Sequence, residues 1–487
     1  MNRISRRSIV AASMGIQAAA IFGGGGPEGA PVGTVPARHS RSISSSALSI
    51  GFETLDRQLF DPEKCYDEVG RLGVKYARVQ TGWARTEREK GKFDFNWLDA
   101  VVDALLSRGV QPWFNLSYGN RRYTLEAPLE SAVGWVPLRT AEAREGWVRF
   151  VSNLSQHFHG RVKHWEIWNE PNAPTFWKPE SANPTQYADL VALTAPVIRQ
   201  RVPGAIVIGG AFGGIPRVFD YLEGCLASGM GRHLDKVSFH PYRRNPDLNY
   251  ESDVRALRAV LKRHGVGASI WQGECGSPSA PGGVGALSEF SWTESRQAKW
   301  LLRRVLLDLS LEIELSSYFH IADMANYGEV RGRPGVAYWG LLRVGDYSRK
   351  PSYSAFQCLC SLFDSTTSRA DFVVDINPLK GPATVPVEGV FTTSFVRHGR
   401  PLYVYWYPSD LMTDFEPARV SALFWCGSAA RLDAPVVIDP LSNRVFKPAG
   451  FERAGGFWRA DDLPLTDYPL IVTDETVVSA LGGAPEL

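Results

Sequence analysis

The chain has 487 residues, of which 44% are hydrophobic and 21% are charged, so it has the composition of a folded soluble protein and room for more than one domain. Its formal net charge is +2, and without residues 1–30 the basic and acidic side chains balance at 50 each. This balance gives no reason to expect nucleic acid or an acidic polymer as a partner.

The amino terminus has the layout of an export signal. A basic start that includes Arg6 and Arg7 is followed by an apolar stretch over residues 9–22 and then by small residues. The arginine pair resembles a twin-arginine signal; a plain signal peptide and an uncleaved anchor are the alternatives. We expect residues 1–35 to be export signal and disordered leader, with the disorder extending over residues 23–45. The mature protein is then periplasmic or secreted, without stable insertion in a membrane.

Eight apolar segments alternate with helical patterns between residues 45 and 363. A helical pattern follows each of the first seven segments, and residues 351–363 supply an eighth helix. This alternation is the signature of an α/β fold, the (β/α)8 TIM barrel. A doubly wound sheet could show a similar alternation, but no glycine-rich phosphate loop follows the first strand. The predicted strands lie at residues 47–53, 74–80, 110–119, 165–168, 205–212, 235–242, 268–276 and 313–320.

The pattern changes at the end of the barrel. Residues 364–480 contain short segments of alternating polarity separated by turn residues, and no helical period remains. We therefore predict a carboxyl-terminal antiparallel β-sandwich that packs on the barrel as an accessory domain.

The six cysteines are scattered along the chain. They show no C-x-x-C pair and no spacing with histidine that would hold zinc. Cys358 and Cys360 are too close for an easy mutual disulfide. We expect buried free thiols, and no metal or other cofactor.

Two glutamates stand where a barrel enzyme places its chemistry, at the carboxyl ends of strands. Glu170, in HWEIWNEPNAPTFW, follows the fourth strand, which Pro171 ends because proline cannot donate to a ladder. Glu274, in SIWQGECG, closes the seventh strand. A single glutamate at such a position is more often a helix cap or part of a salt bridge. Two across one barrel mouth are what glycosidic bond cleavage requires, as an acid for the leaving oxygen and a carboxylate for the anomeric carbon.

The segment WEIWNEPN resembles the acid/base motif of the retaining glycoside hydrolases of clan A, and is most similar to that of family 39, which includes β-xylosidases and α-L-iduronidases. The resemblance covers the barrel and the sandwich that members of this family carry. It implies that Glu170 is the general acid/base and Glu274 the nucleophile. One departure is Cys275, which stands where family 39 members commonly have an aromatic residue; we expect this thiol to pack.

The same resemblance implies a set of substrate-binding residues. Asn169 corresponds to the residue that hydrogen-bonds the sugar 2-hydroxyl, and Tyr242 in FHPY to the tyrosine that supports the nucleophile. His240 would line the same pocket, although a structural histidine is the alternative. Arg78 occupies the position of an arginine near the nucleophile, and its alternative is an interior ion pair with Glu166, which we predict to be a buried polar residue of the barrel.

Aromatic side chains are candidates for the walls of sugar subsites, because sugars present apolar C–H faces that stack on rings. Trp339, beyond the eighth strand, is the best candidate for a platform under the sugar at the cleavage point. Ordinary packing is the alternative for each ring. The other candidates are Trp83, Trp113, Tyr118, Trp177, Trp292 and Tyr338.

The sequence therefore predicts an exported retaining glycosidase that acts on an oligo- or polysaccharide by double displacement. Two alternatives remain: a noncatalytic carbohydrate-binding protein on a degenerate barrel, and a transglycosylase with the same residues. The sugar, the linkage, exo or endo action and the oligomeric state do not follow from these patterns.

Overall fold

The computed structural model describes residues 30–330, 332–378 and 389–482. The predicted export signal lies outside these residues. Strand β1 (Pro31–Thr34) pairs antiparallel with the carboxyl-terminal residues Arg444–Phe446, so the prediction of a disordered leader is wrong for this part. An edge strand tolerates the proline, and Val35 and Ile43 beyond it are buried, which ties the segment down.

Eight parallel strands close into a barrel, as predicted. Neighbouring strands pair in chain order, and the last strand pairs with the first. The carboxyl ends of all eight therefore meet at one mouth. The strands are β2 (Leu48–Gly51), β3 (Tyr76–Gln80), β4 (Gln111–Leu116), β5 (His164–Ile167), β6 (Ile206–Gly213), β7 (Lys236–His240), β8 (Ser269–Cys275) and β9 (Leu315–Tyr318).

Helices follow the strands and surround the barrel, and their ends show the expected capping. The Thr140 side chain accepts a hydrogen bond from the Ala143 N–H at one helix start, and Asn183 caps another ahead of Pro184. Gly73 ends the first helix at a φ of 90°, in the left-handed region that favours glycine. The helices are α1 (Tyr66–Leu72), α2 (Trp83–Thr86), α3 (Asn96–Ser107), α4 (Ala141–His157), α5 (Pro184–Arg201), α6 (Phe219–Ala227), α7 (Tyr250–Arg263), α8 (Glu294–Ser310) and α9 (Pro351–Leu362).

The interior of the barrel is apolar at one end and charged at the other. Trp113 and Trp271 pack edge to face, with ring centroids 5.3 Å apart, near the amino-terminal end. Arg78, Asn115 and Glu166 lie nearer the mouth and are fully buried. The apolar plug closes one end, so substrate can approach the charged residues only from the carboxyl ends of the strands.

A hairpin of β10 (Met324–Val330) and β11 (Arg333–Ala337) leaves the last barrel strand at the mouth. Beyond α9, two antiparallel sheets form the predicted β-sandwich. The strands are β12 (Thr367–Ala370), β13 (Val373–Pro378), β14 (Phe391–Arg397), β15 (Arg400–Trp406), β16 (Ala418–Trp425), β17 (Pro435–Asp439), β18 (Arg444–Phe446), β19 (Phe451–Ala454), β20 (Phe457–Leu465) and β21 (Leu470–Asp474), followed by helix α10 (Glu475–Leu481). One sheet has the order β1-β18-β17-β21-β15-β14-β12 and the other β13-β16-β20-β19.

A buried ion pair joins the barrel to the sandwich. The Arg303 guanidinium on α8 contacts the Asp247 carboxylate, and its Nη1 donates to the Ser409 carbonyl at 2.9 Å. Trp406 on β15 donates its indole N–H to Asp247 at 2.9 Å. Arg303 is fully buried, so its charge depends on this carboxylate.

Replacing Asp247 by alanine is therefore expected to lower the free energy of unfolding by about 3–5 kcal/mol, because it leaves a buried guanidinium without its counter-charge. Denaturant-induced unfolding followed by fluorescence measures the change. Asp414→Ala is the matched control, since its carboxylate is fully exposed and pairs with Arg296 only at 3.5 Å. Equal unfolding midpoints for the two variants would contradict the assigned role of Asp247.

All six thiols are free, as predicted; five are buried and Cys426 is partly exposed. Over residues 30–330, 332–378 and 389–482, no helix combines the length and the hydropathy needed to cross a bilayer.

Candidate active site

Glu170 follows β5 at the mouth of the barrel, where the backbone takes an unusual path. Its φ is 43°, in the left-handed region, and its N–H donates to the Ala211 carbonyl at 3.0 Å. Asn172 fastens the turn with a pair of hydrogen bonds to the Gly213 backbone, at 2.7 and 3.1 Å. A Cβ at Gly213 would lie 3.0 Å from the Glu170 carboxyl carbon. Neighbouring backbone and a glycine therefore hold this carboxyl in place.

A bulge turns Glu274 toward the interior. Side chains normally alternate between the faces of a strand, but Gly273 and Glu274 both face the barrel interior, and Cys275 packs toward the helices. The pairing of β8 with β9 shifts register between Gln272 and Cys275. Bulges next to active sites commonly re-aim a side chain in this way.

Glu274 is held as a carboxylate. Arg78 Nη1 donates to its Oε2 at 2.6 Å, and the Tyr242 hydroxyl donates to its Oε1 at 2.9 Å. Burial alone would raise its pKa, but His240, Arg78 and these hydrogen bonds together lower the pKa of Glu274 below its ordinary value of 4.5. The group is therefore ionised at neutral pH.

His240 joins the two glutamates. Its Nδ1 lies 2.9 Å from Glu170 Oε1 and 3.8 Å from Glu274 Oε2. One carboxylate oxygen of each glutamate and a ring nitrogen of His240 lie within 4.8 Å of one another. Three such atoms could also hold a cation, but Arg78 Nη1 lies 2.6 Å from Glu274 Oε2, and its positive charge disfavours a metal on the same oxygen. The two carboxyls are close enough to face one reacting atom.

Arg78 uses all five of its N–H bonds. Besides Glu274, it donates from Nε and Nη2 to Glu166 at 2.9 and 2.5 Å, from Nη2 to Asn169 at 2.9 Å and from Nη1 to Glu53 at 3.1 Å. The two alternatives for this arginine are thus both true, since it contacts the predicted nucleophile and also forms the interior ion pair. Because Asn169 accepts through Oδ1, its Nδ2 amide is turned away from Arg78.

Trp339 lies in the wall of the site and is covered by a loop. Its ring centroid is 6.4 Å from that of Tyr242 and 5.9 Å from that of Tyr327, and the side chain is 3% exposed. A Cβ at Gly285 would collide with the ring, so residues 277–293 pass directly over it. The structure thus brings Trp339 to the site but leaves its predicted role as a sugar platform untested.

Four of the predicted wall residues are fully buried packing residues, and that prediction is wrong for them. Their indole N–H groups bond within the protein: in Trp83 to Glu87, in Trp177 to Gln186 and in Trp292 to the Leu287 carbonyl. A ring without exposed surface cannot stack on a sugar. The fourth is Trp113, in the apolar plug of the barrel.

Sequence reasoning missed several polar residues at the mouth. Arg57 Nη2 donates to Gln80 Oε1 at 2.8 Å, and its guanidinium lies 5.7 Å from the Tyr118 ring centroid. Burial raises the pKa of Tyr327 to about 12, and the charges of Arg57, Glu274 and Glu170 act on it. Glu53 directly follows the first barrel strand. The signal that could have found it is the one used for Glu170, an acid at the carboxyl end of an apolar strand.

A cavity of about 570 Å³ lies at the other end of the barrel, lined by residues such as Tyr76, His164 and Trp271. It contains neither glutamate of the mouth. Its Lys236 and Glu314 pair with each other at 2.7 Å. Because barrel enzymes place their chemistry at the carboxyl ends of the strands, we assign the active site to the mouth rather than to this cavity.

Comparisons with known proteins show which proteins this chain is similar to. The sequence profile of glycosyl hydrolases family 39 matches residues 60–265. A β-xylosidase of Caldicellulosiruptor saccharolyticus is 23% identical over 335 residues, which are 62% of this chain and 64% of that protein's length.

Solved structures share the fold. A family 39 glycoside hydrolase of Bacteroides cellulosilyticus WH2 superposes with a TM-score of 0.67 at 20% identity, over 91% of this chain and 83% of that one. A monomeric β-xylosidase of Caulobacter crescentus CB15 does so with a TM-score of 0.58 at 18% identity, over 91% and 98%. At these identities the likeness establishes the architecture.

Proposed function

We propose that the chain, which is similar to glycosyl hydrolases of family 39, is a retaining glycosidase that hydrolyses O-glycosidic bonds of an oligo- or polysaccharide by double displacement. The observation that carries the proposal is that one carboxylate oxygen of Glu170 and one of Glu274 lie within 4.8 Å of each other. Retaining enzymes hold their two carboxyl groups about 5–5.5 Å apart, whereas inverting enzymes leave roughly 6.5–9.5 Å for a water.

The first step forms a covalent intermediate. Glu274 attacks the anomeric carbon as the glycosidic C–O bond breaks, and Glu170 gives its proton to the departing oxygen. Glu170 then takes a proton from water as that water attacks the anomeric carbon, which releases Glu274 and a sugar of unchanged configuration. The hydrogen bonds that keep Glu274 ionised support its assignment as the nucleophile.

Two neighbours support the same roles. Burial and the charge of Glu274 raise the pKa of Tyr242 well above its ordinary value, so the phenol stays protonated and donates to the nucleophile. Asn169, with its Oδ1 on Arg78, presents the amide donor that the sugar 2-hydroxyl requires. A hydrogen bond there strengthens as positive charge develops at the anomeric centre.

The substrate we propose is a β-linked neutral pyranoside of the xylose or glucose type. The β-xylosidase activity of the relatives favours this class. The residues that hold the sugar include Asn169, His240 and Trp339.

The decisive test is to incubate the protein with a panel of 2-deoxy-2-fluoro-β-glycosyl fluorides, measure the intact mass and map the labelled peptide. These reagents react with the nucleophile of a retaining enzyme and stop at the intermediate. We expect an adduct on Glu274 with the xylosyl or glucosyl reagent. An adduct on another acid would overturn the residue assignment, and no adduct together with polysaccharide binding would favour a noncatalytic protein.

Activity is expected to fall only at low pH, on the acid limb of the pH–activity profile. A nucleophile must be ionised, and the pKa of Glu274 is lowered below 4.5, so activity persists at pH values where an ordinary glutamate is half protonated. The rate of trapping by the fluoride reagent between pH 3 and 7 measures this limb directly, because fluoride needs little help from an acid. A midpoint above 4.5 would contradict the electrostatic role of His240 and Arg78.

We also propose that residues 1–35 direct export, on the evidence of Arg6, Arg7 and the apolar stretch after them. Fused to a reporter that folds before transport, this segment is expected to deliver the reporter across the bacterial inner membrane. Replacing both arginines by lysine should abolish delivery through the twin-arginine route. Unchanged delivery by the double variant would indicate a plain signal peptide instead.

A further inference from the structure

Glu53 is a buried carboxyl that none of the proposed chemical steps uses. It lies just beyond β2 and is 1% exposed; its Oε1 accepts from Arg78 Nη1 at 3.1 Å. Its Oε2 is buried and has no hydrogen-bond partner among the described residues. A Cβ at Gly51 would collide with this oxygen, so the position depends on a glycine. The fold thus makes room for a third carboxyl on the arginine that holds the nucleophile.

The charges around Arg78 do not balance if every group is ionised. One guanidinium contacts Glu53, Glu166 and Glu274, so these four groups would carry a net charge of −2 in a region where Arg78 itself is fully buried. Counting His240, 3.8 Å from Glu274 Oε2, as a cation would still leave −1. Burying uncompensated charge is costly, and carboxyls that share a site relieve the cost by keeping a proton. One of the three is therefore expected to be a neutral acid.

The hydrogen bonds indicate which carboxyl keeps the proton. Glu166 accepts two bonds from Arg78 and a third from Asn115 Nδ2 at 2.8 Å, all on one oxygen. Glu274 accepts from Arg78 and from Tyr242. Glu53 accepts the longest of the arginine bonds. Its Oε2 and the Oε1 of Glu166 both lack a partner among the described residues, but Glu166 Oε2 collects three bonds where Glu53 Oε1 accepts one from Arg78. The anionic form is thus supported least at Glu53.

We propose that Glu53 is a positioning residue that works as a neutral carboxylic acid: it occupies the fifth N–H of Arg78, orients the guanidinium toward Glu274, and leaves the positive charge for the nucleophile and Glu166. This extends the proposed function, because it assigns a role to a residue that touches neither the sugar nor the reacting atoms.

The titration of the surrounding groups is consistent with this role. Burial raises the pKa of Glu53 to about 8; Arg78 opposes the rise and Glu274 adds to it. His320 Nε2 lies 3.8 Å from Glu53 Oε2, and burial lowers the pKa of that imidazole to about 4, so it brings no charge at neutral pH. The Tyr327 phenol, with its pKa raised to about 12, is neutral as well. Among the described residues, Arg78 is the cation that forms an ion pair with Glu53.

The protonation state can be read by infrared spectroscopy without any turnover. The C=O stretch of a protonated carboxylic acid is expected at pH 6 in the wild-type protein, and it should disappear as the pH passes through about 8. Glu53→Gln should lack this band, and subtracting its spectrum removes the signals of the other buried acids. If the two proteins show the same bands, Glu53 is ionised and the proposal is overturned.

The rate of trapping at Glu274 tests the positioning role. Glu53→Gln keeps a neutral acceptor for Arg78 and should retain at least about a third of the wild-type rate, whereas Glu53→Ala should lose about 10- to 100-fold through misplacement of the guanidinium. Equal rates for the alanine variant and the wild type would exclude the role.

Glu166→Gln is the matched comparison, since it removes a charge that we assign as present. It should move the acid limb of trapping to lower pH, because a negative neighbour of Glu274 is lost. Glu53→Gln should leave the limb in place, and a shift like that of Glu166→Gln would overturn the proposal. If no adduct forms on the wild-type protein, the glycosidase proposal fails, while the infrared result still decides the state of Glu53.

Discussion

Glu274→Ala is expected to lower kcat on the order of 10⁴- to 10⁶-fold, the loss seen when a covalent nucleophile is removed. The site should keep its substrate affinity, because Arg78, Tyr242 and Asn169 remain. Azide at high concentration is expected to restore turnover, since the small anion fits the space of the missing carboxylate and attacks the anomeric carbon from its face. The product should be a glycosyl azide of inverted configuration, which proton NMR identifies.

The control for this variant is Glu145→Ala, which removes an exposed glutamate of α4 that pairs with Arg149 only at 3.7 Å. Its activity should stay close to wild type. A glycosyl azide of retained configuration from Glu274→Ala would show that another residue is the nucleophile, and full activity without azide would remove Glu274 from the mechanism.

Glu170→Ala is expected to separate the two steps of the reaction. Hydrolysis of substrates with poor leaving groups should fall by about 10²- to 10⁴-fold, the usual contribution of a general acid/base. Aryl glycosides with acidic phenols need no proton at departure, so they should still load Glu274 and give a burst of phenol. Because the base for the second step is missing, the covalent intermediate should accumulate. Azide then releases it as a glycosyl azide of retained configuration.

Glu180→Ala is a fitting control, because this exposed residue follows Glu170 along the same excursion of the chain and contacts Arg139 at 3.5 Å. It should give no burst and no accumulated intermediate. If Glu170→Ala lowers the rates of all substrates equally, whatever their leaving group, then the residue positions the substrate and another group supplies the proton.

The sequence by itself determined the architecture and the position of the two carboxylates at the mouth of the barrel. Strands and helices alternate, and each has a clear hydrophobic period. This period shows which side chains of a segment are buried, so it can be deduced from the order of apolar residues along the chain. Pro171 marks the end of the fourth strand, and the acid just before it lies at the mouth because all parallel strands end there. The resemblance of WEIWNEPN to a clan A motif predicted that Glu170 belongs to the active site. The structure supplied the neighbours of Glu170, which come from other strands.

The tertiary structure alone decided which partners each of these groups has. A tryptophan near a strand end has the same local sequence pattern whether it faces a sugar or the core. Only the packing in the structure showed that Trp83 and Trp177 are fully buried. The pairing of β1 with β18 joins residues more than 400 positions apart. The local sequence around Pro31 does not indicate that this segment will cover the edge of a sheet.

The charged centre of the barrel is likewise decided by the tertiary structure. Arg78 meets Glu53, Glu166 and Glu274 because four strands curve around one axis, and a bulge in β8 turns Glu274 inward against the alternation that a strand predicts. Sequence order gives the face of a regular strand, but closure of the barrel sets the distances between strands. The ionisation of these carboxyls depends on those distances, and so the chemistry of the site emerges only in three dimensions.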